Sequence, residues 1–128
     1  MGRALTSGEV HVIERLLALD ASEGQAARAQ IPFLLVQDEI LEPDLSLEFV
    51  CELGAPSLGV SEIGGPIVTG YARYADGGIV ELVLFVDENG HLCTLELISH
   101  GDRPATELPP AASITGEYLD DDTASGGG

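Results

Sequence analysis

Apolar and polar residues follow two different periods along this chain, and the period changes near Pro32. Ahead of it, Val10, Ile13, Leu16 and Leu17 recur at the three- and four-residue spacing that lines one face of an α-helix. Thr6 precedes that run and Glu9 follows three residues later. This is the capping-box spacing, in which each side chain satisfies an orphan backbone donor of the first turn. Ser22 and Gln25 repeat the spacing before "AARAQ", so a second short helix is expected there. Pro32 ends it, because a proline disfavours helical angles at the residue before it, here Ile31.

Beyond Pro32 the period falls to two. "PFLLVQDEI" is a short apolar run with strand character, and "EPD" at 42–44 is a turn signal. "LSLEFVCEL" then alternates. Leu45, Leu47, Phe49, Cys51 and Leu53 fall on one face, Ser46, Glu48 and Glu52 on the other, with Val50 as the exception. "PIVTGYARYA" reads as a strand with Gly70 as a candidate bulge. "DGG" at 76–78 and "ENG" at 88–90 are hairpin turns, because Asp, Asn and Gly tolerate positive φ. Between them "IVELVLFVD" is nearly all apolar, as a central strand covered on both faces would be, and "HLCTLELIS" is the last clear strand. Three strands joined by two tight turns make a meander. Pro104, Pro109 and Pro110 oppose regular structure after Gly101, and "DDDTASGGG" is polar and acidic. The pattern predicts an α+β fold: two N-terminal helices packed on a four- to five-stranded, mainly antiparallel sheet. It forms a single domain over residues 1–119, followed by a flexible acidic, glycine-rich tail over 120–128.

Charge narrows the partners. There are 22 acidic residues against five basic ones, a net charge of −17, and all five basic residues are arginine. No basic stripe can be assembled, so nucleic acid is not expected as a partner, nor is an anionic membrane surface. No apolar run approaches the roughly 20 residues of a membrane span, and "MGRALTSGEV" lacks the apolar centre of a signal peptide, so the cytoplasm is the expected compartment. Cys51 and Cys93 are far apart in sequence. They read as reduced, buried, metal-free thiols rather than a disulfide scaffold.

Candidate chemistry is sparse. The connection from Cys51 to Gly70 is rich in glycine, but a phosphate loop also needs a cation, and none lies between Cys51 and Arg73. Glu52 and Glu62 would repel a phosphate. Residues 54–65 therefore read as a strand-to-strand connection stiffened by Pro56 and Pro66, and as the best candidate for a contact surface. A metal or acid–base role for the histidines requires His91 and His100 to converge near Asp87, Glu96 or Asp102, since His11 is remote and no pair has the spacing of a helical metal site. "DENG" at 87–90 lacks the later carboxylates of a calcium loop, and "PSLG" is not a nucleophile elbow. No catalytic, cofactor-binding or metal-ligating residue is assigned, and no cofactor is expected.

The succession "LTSGEVHVIERLL", "AARAQI", "GAPSLGV", "VELVLFVDENGHLCTLELI" and "PATELP", over about residues 5–110, resembles a family of small uncharacterised bacterial proteins, mainly actinobacterial. The resemblance implies a domain of unknown function and supplies no catalytic residue. Members often carry cysteines just before the Pro-Ser pair. This chain has Leu53 and Ala55 there, which argues against a thiol or metal role at that place. The reading that best fits is a non-enzymatic interaction module of the immunity or regulatory type, binding a basic protein surface through Glu48, Glu52 and Glu62, because acidity speeds encounter with a positive partner. The alternatives are a nucleic-acid mimic that inhibits a DNA-binding protein, with Glu42, Asp44, Glu48 and Glu52 as its row of charges, and a small-ligand-binding domain or enzyme.

Overall fold

The structure, a computed structural model, describes residues 2–19, 24–58 and 64–119. Ser22, Glu62 and the 120–128 segment lie outside the described residues. A two-residue strand β1 (Arg3–Ala4) precedes helix α1 (Ser7–Ala18). Thr6 and Glu9 close the capping box: the Thr6 hydroxyl accepts from the Glu9 N–H at 3.1 Å, and the Glu9 carboxylate accepts from the Thr6 N–H at 2.8 Å. The buried stripe of α1 is Val12, Ile13, Leu16 and Leu17. Val12 takes the inward place expected of Val10, which is only half-buried. Helix α2 (Gly24–Arg28) follows, and the Leu17 carbonyl oxygen lies 1.9 Å from where a Cβ at Gly24 would sit, so only glycine fits that approach. Pro32 falls inside a 3₁₀ turn (Ile31–Phe33) that delivers the chain into the sheet.

The sheet comprises β2 (Leu34–Leu41), β3 (Leu45–Cys51), β4 (Gly65–Arg73), β5 (Ile79–Val86) and β6 (Leu92–Ser99), with β1 at one end. Its order is β1-β2-β3-β6-β5-β4, antiparallel throughout. The α+β pattern and the β4–β5–β6 meander are therefore as expected, but the sheet has six strands rather than four to five. The additional strand is β1, and two residues are too short a run to carry an alternating signal. The β2–β3 hairpin joins the meander through a three-pair ladder: Ser46 opposite Glu96, Leu47 opposite Leu95 and Glu48 opposite Thr94.

Leu45, Leu47 and Phe49 of β3 point inward as their alternation requires, into one cluster with Ile13, Leu16, Leu17, Leu82, Leu84 and Leu97. Leu53, expected on that face, is fully exposed, because β3 ends at Cys51 and the Glu52 N–H turns to the Phe33 carbonyl at 2.8 Å. Gly70 is not a bulge. The bulge of β4 lies between Pro66 and Val68, and Gly70 is small because a Cβ there would meet Leu16 Cδ2 at 2.6 Å and Ile114 Cγ2 at 2.9 Å. Cys93 is the extra residue of a bulge in β6, and both thiols are free and half-buried rather than buried. The proline-rich segment is irregular but anchored. A 3₁₀ turn (Ala111–Ser113) leads to buried Ile114, whose carbonyl accepts from Arg15 Nε at 2.9 Å. Thr115 exchanges two backbone hydrogen bonds of 2.8 Å with Tyr71.

Candidate functional site

Many carboxylates are consumed by the fold. Glu9, buried on α1, accepts from both Nη atoms of Arg3 at 2.8 and 2.9 Å, and Glu39 takes the same guanidinium from the other side. Burial works against the Glu9 carboxylate. The Arg3 guanidinium and the Thr6 N–H outweigh it and hold the carboxyl below its ordinary range. Asp44 accepts from the Ser99 N–H at 3.1 Å and the Ala105 N–H at 2.7 Å, fastening the β2–β3 turn to the segment after β6. Asp87 accepts from the N–H groups of Asn89 and His91 in the β5–β6 turn. Glu81 meets His100 Nε2 at 2.9 Å.

Asp38, Glu42, Glu48, Glu52 and Glu96 have no ion pair and no side-chain hydrogen bond among the described residues, and three of them gather. The β2–β3 register sets Asp38 directly opposite Glu48, and the β3–β6 register sets Glu96 opposite Ser46, diagonal to Glu48. Leu47 and Phe49 face the core, so Asp38, Glu48 and Glu96 share the outer face, with Ile40 and Val50 exposed beside them at 38% and 41%. Opposite residues of an antiparallel pair have Cβ atoms about 5 Å apart, and like charges there are destabilising. No arginine answers them. Arg3 is held by Glu9 and Glu39, Arg15 by Ile114 O, Arg28 lies 4.0 Å from Glu14, Arg73 donates to Gly77 O, and Arg103 pairs with Asp76.

Of the residues expected to make contact, Glu48 lies at the centre of this patch, Glu52 is exposed just past the end of β3, and Glu62 falls outside the described residues. Asp38 and Glu96 were not found from the sequence, because only the strand register brings them to Glu48. Glu42 and Asp44 do not extend the row, since Asp44 is occupied by backbone donors.

No family model, curated protein or solved structure matches this chain. The remaining chemistry must be read from its own geometry. His91 and His100 stand at opposite ends of β6, so the convergence that a metal or acid–base role requires does not occur. His100 instead packs edge-on against the Tyr71 and Tyr118 rings, at centroid distances of 6.4 and 6.1 Å. No group of three or more metal-type side chains assembles among the described residues. Burial pushes the Cys51 thiol up to about 11, with the Asp87 carboxylate adding to it, and raises Cys93 as well, so neither thiol is primed as a nucleophile. The glycine-rich connection is fixed at its near end. Leu58 N–H donates to Gly90 O at 3.0 Å, Ser57 Oγ to Asn89 O at 2.5 Å, and Gly54 turns the chain at φ +94°. A groove of about 760 Å³ runs between the start of α1 and residues 107–111, lined by Thr6, Glu9, His11 and Tyr74 among others. Glu9 is committed to Arg3, and the Tyr74 hydroxyl donates to Glu107 O at 2.5 Å, with its proton held by burial up to about 12. Neither is free to act as a base. No helix among the described residues is long and apolar enough to cross a membrane.

Proposed function

We propose that the protein is a non-enzymatic interaction module, of the immunity or regulatory kind, that binds a basic protein surface through the outer face of its sheet. The observation that carries this reading is the Asp38–Glu48 pair: two like charges in register, with Glu96 diagonal to Glu48 on its other side and every arginine engaged elsewhere. A Lys- or Arg-bearing partner relieves that repulsion on docking and is drawn in over a Debye length of about 8 Å. Exposed Ile40 and Val50 supply apolar contact at the same place, and Glu52 lies at its rim.

The test compares the wild type with the triple reversal Asp38→Lys, Glu48→Lys, Glu96→Lys. A partner is recovered from the host with the wild-type chain, and its association is timed at low and high salt. The reading expects slower association in salt and a further loss in the triple reversal, because exposed charges act mainly on encounter. An association rate that ignores both would show that the patch is not the contact.

A further inference from the structure

Strand β2 is paired on both sides at only two of its eight residues. β1 pairs with Leu35 and Val36 alone, and a bulge follows at Gln37, where the register shifts between Val36 and Asp38. From Asp38 to Leu41 the strand has β3 on one side and no strand on the other among the described residues. An unpaired strand side presents a row of backbone N–H and C=O groups ready to pair with another extended chain. Two large apolar side chains mark the same stretch, Ile40 at 38% exposed and Leu41 at 54%.

We propose that this free edge, residues 38–41, takes an extended Lys- or Arg-bearing segment of the partner as an added strand. The inference builds on the basic-partner reading and specifies how that partner is held. Main-chain hydrogen bonds supply affinity in this mode, and alternate side chains supply the choice of sequence. The register of β2 determines that choice. A residue opposite Asp38 shares the outer face with Asp38 and Glu48, so it must be basic. The residue opposite Ile40 lies on that same face and is apolar. Leu41 pairs with inward-facing Leu45, so the residue opposite Leu41 lies on the inner side and is also apolar. Glu39 makes no demand for charge, because Arg3 already holds its carboxylate. A second copy of this chain is a poor occupant: it would bring Asp38, Glu39 and Glu42 of two chains, each of net charge −17, to one seam.

Three synthetic eight-residue peptides test the assignment: one repeating Lys-Val-Val-Val, which sets lysine opposite Asp38 and valine opposite Ile40 and Leu41 in either strand direction, its glutamate-for-lysine counterpart, and the lysine–valine peptide N-methylated at every residue. The last keeps charge and side chains but loses the backbone donors of both strand edges. The lysine–valine peptide should bind and slow amide hydrogen exchange at residues 38–41. The glutamate peptide should not bind, and N-methylation should weaken binding by about tenfold or more. Ile40→Lys, on an exposed position that leaves the fold intact, should weaken the lysine–valine peptide in the same way. Failure of that peptide to bind, protection that appears elsewhere, or equal binding of the N-methylated peptide overturns the strand addition. In the last case, loss of binding on Glu48→Lys would leave the outer-face reading standing while removing the edge. Equal binding of the lysine and glutamate peptides, with exchange slowed at 38–41, would instead overturn the charge assignment.

Discussion

Replacing Gln30 by leucine should be among the most damaging single changes available outside the apolar core. Gln30 follows α2, is fully buried, and holds two backbone groups where the β5–β6 turn enters β6. Its Nε2 donates to Gly90 O at 2.8 Å and its Oε1 accepts from the Leu92 N–H at 2.7 Å, across about 60 residues of sequence. Leucine has similar bulk and no polar atom. Gly90 O keeps a second donor, the Leu58 N–H at 3.0 Å, so its loss is the smaller one, about 0.5–1.5 kcal/mol. The Leu92 N–H is left buried without an acceptor, which costs about 1–3 kcal/mol. The sum is about 1.5–4.5 kcal/mol. With a urea slope of about 2 kcal/mol/M, the unfolding midpoint should fall by about 1–2 M with the slope unchanged. Gln30→Glu keeps the acceptor for Leu92 but turns the donor toward Gly90 into a buried carboxylate, so it should not rescue stability at neutral pH. A Gln30→Leu midpoint within about 0.3 M of wild type would refute the reasoning, because the side chain would then be a spectator rather than the tie between α2 and the β5–β6 turn.

Gly70→Ala should destabilise by about 1–3 kcal/mol in the same denaturation assay, because the new methyl meets Leu16 and Ile114 below 3.0 Å. Gly116→Ala, whose nearest neighbour is Leu19 at 3.7 Å, is the near-neutral control. Glu9→Gln should lower stability at neutral pH, and the gap to wild type should close on acidification. The Glu9 carboxyl is held below its ordinary value of 4.5, so its stabilisation is present above that value and is lost as pH falls through the lower folded one; a gap that widens toward acid would contradict this. Cys51 and Cys93 should react slowly with a thiol reagent at pH 8 in the native protein and rapidly once unfolded, and two fast native thiols would be the opposite result. Glu48→Gln should stabilise the free protein by about 0.2–1 kcal/mol, since it removes one of two like charges in register.

The helix and the hairpins were legible because their signals are local. The Thr6–Glu9 capping box and the Ile13–Leu16–Leu17 stripe need only one turn of chain to act, and "DGG" and "ENG" place their glycines where φ turns positive, at Gly77 and Gly90. Val50 breaks the chemical alternation of β3 yet stands on the outer face, because backbone geometry, not residue type, decides which way a strand residue points. Leu53 shows the converse. Its apolar character suggested one more inward position, but Glu52 has already turned to Phe33 and the strand is over. The joining of β3 to β6 leaves no local trace, since it pairs residues 46 to 50 positions apart through a ladder of three. Glu48 could therefore be chosen from the alternation of its own strand, whereas Asp38 and Glu96, which turn a lone exposed glutamate into a patch, depend on a register that no period encodes.

The distribution of the charge matters more than its total. Acids needed only for solubility would be spread, because repulsion between neighbours lowers stability without adding to solubility. Glu9, Asp44 and Asp87 are spread in this sense, each satisfied by N–H donors that the fold supplies. Asp38 and Glu96 instead each lie one strand-to-strand step from Glu48, on the two strands that flank it, and the five arginines are all turned elsewhere. Strand edges are commonly blunted by charge, and Asp38 blunts the open side of β2 against a second acidic chain. The same two features act in opposite directions on a basic chain: the unpaired backbone invites it, and the unanswered carboxylates attract it. A device that keeps this protein from pairing with itself thereby also selects what it can pair with.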